Sequence, residues 1–195
     1  MRMRLRNFIA RCVFVFWTTR LSTLVLEQAG TAGDVKMAYG ASSAITVTNL
    51  QSLASSATWL AGWEGPVDNS TSLFPDYIIN AAITVAAAGL TAGQIRMYVV
   101  AELDDSTWPD VFDGTEGTET VTDTEIRDSI CKLIASTDTD TTASRVYPLM
   151  CSSLRQVLGN IPRKFVIFIT HNTGAALASS GNAVYVKGVY STVAL

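Results

Sequence analysis

A single histidine, His171, and three cysteines, Cys12, Cys131 and Cys151, are the residues best suited to nucleophilic or metal chemistry. No two cysteines stand as C-x-x-C, and the four side chains are scattered along the chain. A structural zinc site needs four such ligands brought together, usually in paired spacings, so the pattern argues against one. One imidazole excludes a two-histidine metal site. A Ser-His-Asp triad would have to run through His171, and no Gly-x-Ser-x-Gly elbow occurs. His171 stands between an apolar run and Asn172-Thr173-Gly174, which reads as a turn histidine hydrogen-bonding locally at a strand end. Cys131 or Cys151 acting with His171 would need a spatial adjacency that spacing does not give. A Cys131–Cys151 disulfide is equally open; the plainer reading is two small buried hydrophobes in a protein folded in a reducing cytoplasm.

Carboxylates are concentrated in one stretch, 104–125, with Asp104, Asp105, Asp110, Asp113, Glu116, Glu119, Asp123 and Glu125. Clustered carboxylates are hard oxygen donors for Ca²⁺, and Asp105, Asp110 and Asp113 are the first choices. The EF-hand run is missing, however, and a solvated loop is the alternative. A carboxylate pair for glycoside hydrolysis can be drawn in any acid-rich chain and is not indicated. No Gly-rich phosphate cradle is present. Trp59 and Trp63 are four apart, so in a strand they share a face, as core or as a sugar-stacking platform. Trp108, inside the acidic stretch, suits a contact with another subunit. Asn69-Ser70-Thr71 matches a glycosylation sequon, which matters only in a secretory compartment. No residue is assigned a catalytic, cofactor-binding or metal-binding role, and no cofactor is implied.

These residues must be held by a chain of 195 residues, 48% hydrophobic but only 16% charged. That suffices for one domain with a sizeable core. The low charge, with abundant Thr and Ser, fits a surface packed against neighbours or an ordinary soluble β-protein. From Met37 onward there are 8 basic and 15 acidic residues, a net of −7, which argues against nucleic-acid binding. Residues 1–36 differ: Arg2, Arg4, Arg6, Arg11 and Arg20 surround the apolar Cys12 to Trp17. The extension reads as a miscalled start or dispensable arm, with Met37 opening the matching composition, or as a signal peptide ending near 29–33. A stable membrane span is disfavoured because Arg20 falls inside the apolar window.

The organising element is Phe165-Val166-Ile167-Phe168-Ile169. A half-buried strand would alternate; a uniform run of β-branched and aromatic residues suits a strand covered on both faces. Strands are also expected at 43–48, 58–64, 76–88, 94–103, 126–135, 145–152 and 183–190, with a helical turn at 154–159. In the clearest alternation, Ile95, Met97, Val99, Ala101 and Leu103 point inward, and Arg96, Tyr98, Val100 and Glu102 outward. Residues 50–56 read as a small-residue link, and 104–125 and 136–144 as loops. About eight strands without a long helix predict an all-β, antiparallel two-sheet sandwich, jelly-roll-like, over 37–195. The extension over 1–36 does not conform to it.

Several segments in order resemble a family of tailed-phage virion structural proteins, the jelly-roll head decoration or cement type. They are Ser43 to Leu50 with Leu53-Ala54; Thr58-Trp59-Leu60-Ala61-Gly62-Trp63-Glu64; Asp76-Tyr77 leading to Ala82-Ile83-Thr84-Val85; Trp108-Pro109-Asp110-Val111-Phe112-Asp113-Gly114-Thr115; and Pro162 to Thr173 with Leu177 and Gly181-Asn182. They span roughly 40–190, and the basic extension departs from the pattern. The resemblance implies a non-enzymatic protein that cements or decorates a capsid. Its partners would be the major capsid protein or other virion proteins and copies of itself, and it would be assembled in the bacterial host cytoplasm. On this reading the 104–125 loop orders on contact, and deleting 105–122 leaves a folded monomer that no longer assembles. The competing class is a carbohydrate- or receptor-binding β-sandwich associated with a phage tail; a small hydrolase is weakly supported.

Overall fold

The computed structural model describes residues 34–45, 47–104, 106–109, 111–121 and 129–193. Cys12, Asp105, Asp110 and nearly all of the 1–36 extension lie outside them. The strands are β1 (Val35–Tyr39), β2 (Ser43–Ile45), β3 (Leu60–Trp63), β4 (Val67–Asp68), β5 (Asp76–Thr84), β6 (Gly93–Ala101), β7 (Gly117–Thr120), β8 (Lys132–Thr139), β9 (Val146–Cys151), β10 (Lys164–His171) and β11 (Ala183–Val193). A short helix, α1 (Leu154–Leu158), precedes β10, with the Ser153 hydroxyl capping it by accepting from Gln156 N.

Residues 39–190 form one compact unit; the described residues 34–38 and 191–193 belong to a second. In the unit of the ends, the Ser191 hydroxyl lies 3.9 Å from the Met37 sulfur. Within 39–190, two antiparallel sheets pack as a sandwich, so the all-β two-sheet class holds. One sheet runs β11-β5-β9 with β2 also on β11; the other runs β7-β3-β10-β6-β8 with β4 also on β10. β6 pairs β8, β5 pairs β9, β4 and β3 pair β10, and β2 pairs β11. Successive later strands thus return to successively earlier ones, the connectivity of one long hairpin folded over on itself.

β10 is central and covered on both sides, as its composition predicts. Phe165, Ile167 and Ile169 join the core between the sheets with Ile79, Ile83, Ile95 and Met97. Val166 and Phe168 point the other way, into a second apolar cluster. Each such side chain contributes about 1.5–3 kcal/mol when fully buried, so two buried faces make β10 the strand with the most to lose.

The second cluster corrects the expected inside and outside of β6. Ile95, Met97 and Val99 face the inter-sheet core, but Tyr98 and Val100 are buried too. Residues 108–121 lie over them: Phe112 and Val121 are buried there, and Trp108 packs against the same cluster. Leu103 lies beyond the end of β6 and is 58% exposed. Further differences follow from partners that local pattern does not encode. Pairing with Gly93–Met97 of β6 carries β8 through Thr139, across what reads as a polar loop, and a register shift follows between Met97 and Tyr98. β7 forms inside the acidic stretch because the edge of β3 offers it a ladder. The 50–56 link buries Leu50 and Leu53, with a 3-10 turn at Thr48–Leu50.

Candidate functional site

Built from its residues, the acidic stretch is a covering layer. Asp104 Oδ1 accepts from Ser106 N at 2.8 Å and Thr107 N at 2.7 Å, and Oδ2 accepts from the Thr107 hydroxyl at 3.0 Å. Asp113 Oδ1 accepts from Thr115 N at 2.9 Å and from its hydroxyl at 2.6 Å. These bonds hold both carboxyls below the usual carboxylate range. Asp104 and Asp113 therefore cap turns, and among the described residues no three His, Cys, Asp or Glu side chains gather around one point.

The layer closes on an aromatic chain. The Trp59 and Tyr98 rings lie 4.4 Å apart between centroids, and Tyr98 stacks on Phe168 at 5.1 Å. Phe168 meets Phe112 at 5.2 Å, and Phe112 meets Trp63 at 4.7 Å. Trp63 Nε1 donates to Thr115 O at 2.9 Å, and Val121 N donates to Trp59 O at 3.2 Å, tying both ends of the layer to β3 and its approach. Gly117 lies so near the Trp63 ring that a Cβ would come within 2.7 Å of it. Trp63 is thus a core residue of the second cluster, and Trp59 packs half-buried against it. Trp108 is half-buried, against Gly114 at a positive φ of 84°. Deleting 105–122 would uncover Trp63, Tyr98, Val100, Val166 and Phe168, so the expectation of an intact monomer after deletion does not survive this geometry.

Sequence reading passed over Glu64. It follows β3, is 4% exposed, and accepts from Asn49 N at 2.6 Å through Oε1. Its Oε2 is buried without a hydrogen-bond partner within the sheet. Burial, opposed by the Asn49 bond and reinforced by the Glu116 carboxyl, pushes its pKa up to about 7. No local signal marks it, because its partners Asn49 and Glu116 meet it only in the fold.

His171 is buried at the end of β10. Nε2 lies 3.0 Å from Leu53 O and Nδ1 lies 3.0 Å from the Thr173 hydroxyl. A carbonyl only accepts, so Nε2 carries a proton, and the Thr173 hydroxyl stands between Nδ1 and the Ala175 carbonyl, to which it donates at 3.3 Å. Burial lowers its pKa, against the opposing pull of the Leu53 bond. It braces the Leu53 loop, as a turn histidine would, and no thiol adjoins it in a hydrogen bond. Cys131 and Cys151 are buried in different clusters and form no disulfide with each other. Asn69 is buried as well: Oδ1 accepts from Phe74 N and from the Tyr77 hydroxyl, both at 2.8 Å, and Nδ2 donates to Phe74 O at 3.1 Å. The sequon nitrogen is therefore a structural donor.

A cleft opens between the β2–β11 edge and β4, walled by Ile45, Val67, Phe74, Tyr77 and Val186. Asp68 stands at it, its carboxyl kept low by the Ser70 hydroxyl and N–H, and no histidine or cysteine lines it. Among the described residues no helix is long and apolar enough to cross a membrane.

Compared with known proteins, the sequence matches no described family and no curated protein.

Proposed function

We propose that this chain is a non-enzymatic structural protein of a tailed-phage virion, one that decorates or cements the capsid. It binds the major capsid protein or other virion proteins and assembles in the bacterial host cytoplasm. The observation that carries this reading furthest is the strand order. With β1 set aside, β3 and β4 counted as one strand and β7 as an insertion, β2 is the first of eight strands; one sheet then runs 1-8-3-6 and the other 2-7-4-5. We infer from this a jelly roll, the architecture of many viral shell domains and also of lectins and cupins. Fold alone does not choose among those roles. Two further features lean toward the virion role: the ordered resemblance of segments across 40–190, and an internal cluster that buries Trp63 and engages Trp59 and Trp108 from its margin. A sugar-binding platform would leave them exposed.

Reconstitution tests the reading. Full-length protein is mixed with particles of its own phage that lack it, and the mixture is sedimented. Saturable co-sedimentation is expected. Protein that stays in the supernatant at every concentration, with particles intact, contradicts the proposal.

A further inference from the structure

The two outer faces of the sandwich are treated differently by the chain. The face of β3-β10-β6 is covered by Trp108, Phe112 and Val121, whereas the outer face of β2-β11-β5-β9 has side chains that are exposed or half-buried. Register aligns Met150, Asn80, Tyr185 and Ala44 in one row across β9, β5, β11 and β2. Met150 is 69% and Tyr185 40% exposed, and Asn80 and Ala44 are exposed as well. Lys187 is the charged side chain next to this row on β11, two residues along from Tyr185. At one end of β5, the Asp76 carboxylate already accepts from Ser153 Oγ and Arg155 N.

We propose that this face is a two-fold interface with a second copy of the same chain. Three features select that occupant. The face carries almost no charge, so it offers nothing to an ionic partner. At its middle stands an amide, which both donates and accepts and so can pair with its own symmetry mate, as an isologous contact requires. The extent is also sufficient. Strands of three, eleven, nine and six residues, at about 3.3 Å per residue and about 4.8 Å apart, give a flat footprint of roughly 450 Å² before side-chain relief. A standard interface buries about 800 Å² of accessible surface per partner, which such a corrugated patch approaches. Pro148, in edge strand β9, removes a backbone donor and so disfavours edge-to-edge strand addition there, leaving the face.

The proposal refines the partner side of the virion reading and rests on it only for biological meaning. Light scattering reads self-association without any particle, so either can fail alone. The full chain is measured by size exclusion with light scattering across a hundredfold range of concentration. The expected result is a dimer, or an even multiple of it, that Met150→Lys with Tyr185→Lys weakens at least tenfold while the thermal midpoint stays close to that of the parent. Asn80→Asp supplies the second reading: facing carboxylates should make dimerisation fall as pH rises through the carboxylate range, with no such dependence in the parent. A parent that stays monomeric throughout, or an oligomer indifferent to all three substitutions, overturns the proposal.

Discussion

Glu64 and His171 place opposite demands on pH. The folded chain keeps a proton on Glu64 up to about pH 7, whereas its ordinary carboxyl value is 4.5. The unfolded chain binds fewer protons in that window, so this residue makes stability fall as pH rises from about 4.5 to 7. His171 acts in the other direction: its folded pKa lies below 6.5, so its contribution is intact above that value and is lost as pH falls beneath it. Glu64→Gln keeps an acceptor for Asn49 N and adds a donor toward Glu116. It should raise the thermal midpoint at pH 8 and flatten the decline between pH 5 and 7 in a denaturation series. An unchanged profile would mean that Glu64 is not held protonated. His171→Ala strands the Leu53 carbonyl and opens a cavity, so a loss of about 2–4 kcal/mol is expected in urea unfolding. The local bond of His171 to Thr173 is legible in sequence; its bond to Leu53 O, 118 residues away, is not. Nor is the burial of Glu64, whose partners Asn49 and Glu116 come from other segments of the chain.

At the scale of elements, β10 and the acidic stretch form one construction. The uniform run 165–169 announced a strand with two buried faces, and the structure supplies both. What covered the second face was hidden: residues 104–125 look solvated by composition, and their apolar members Trp108, Phe112 and Val121 are too widely spaced to show a period. Tyr98 and Val100 were misplaced for the same reason, because alternation reports two faces and cannot say which of them the chain later covers. Phe168→Ala removes the ring shared by Tyr98 and Phe112, and equilibrium unfolding should show a loss of about 3–5 kcal/mol. Removing 105–122 should give a protein that binds a hydrophobic dye strongly and unfolds at a lower temperature. A deletion variant as stable as the parent would show that the layer is not part of the core.

For the whole molecule, the sandwich itself was readable from strand spacing and the missing helices. The strand order was not, since it depends on pairings between residues as far apart as Ser43 and Val186. Function lies further still from local pattern. The chain buries Trp63, Phe112 and Phe168 in an internal cluster and ties Asp104 and Asp113 into turns, and the sheet face proposed as an interface carries little charge. The central claim is membership of a virion, and quantitative mass spectrometry of gradient-purified particles tests it most directly. The account predicts this chain in the particle band at a fixed ratio to the major capsid protein, retained through repeated banding. A chain recovered only from the soluble lysate, with particles complete and infectious without it, would contradict the account.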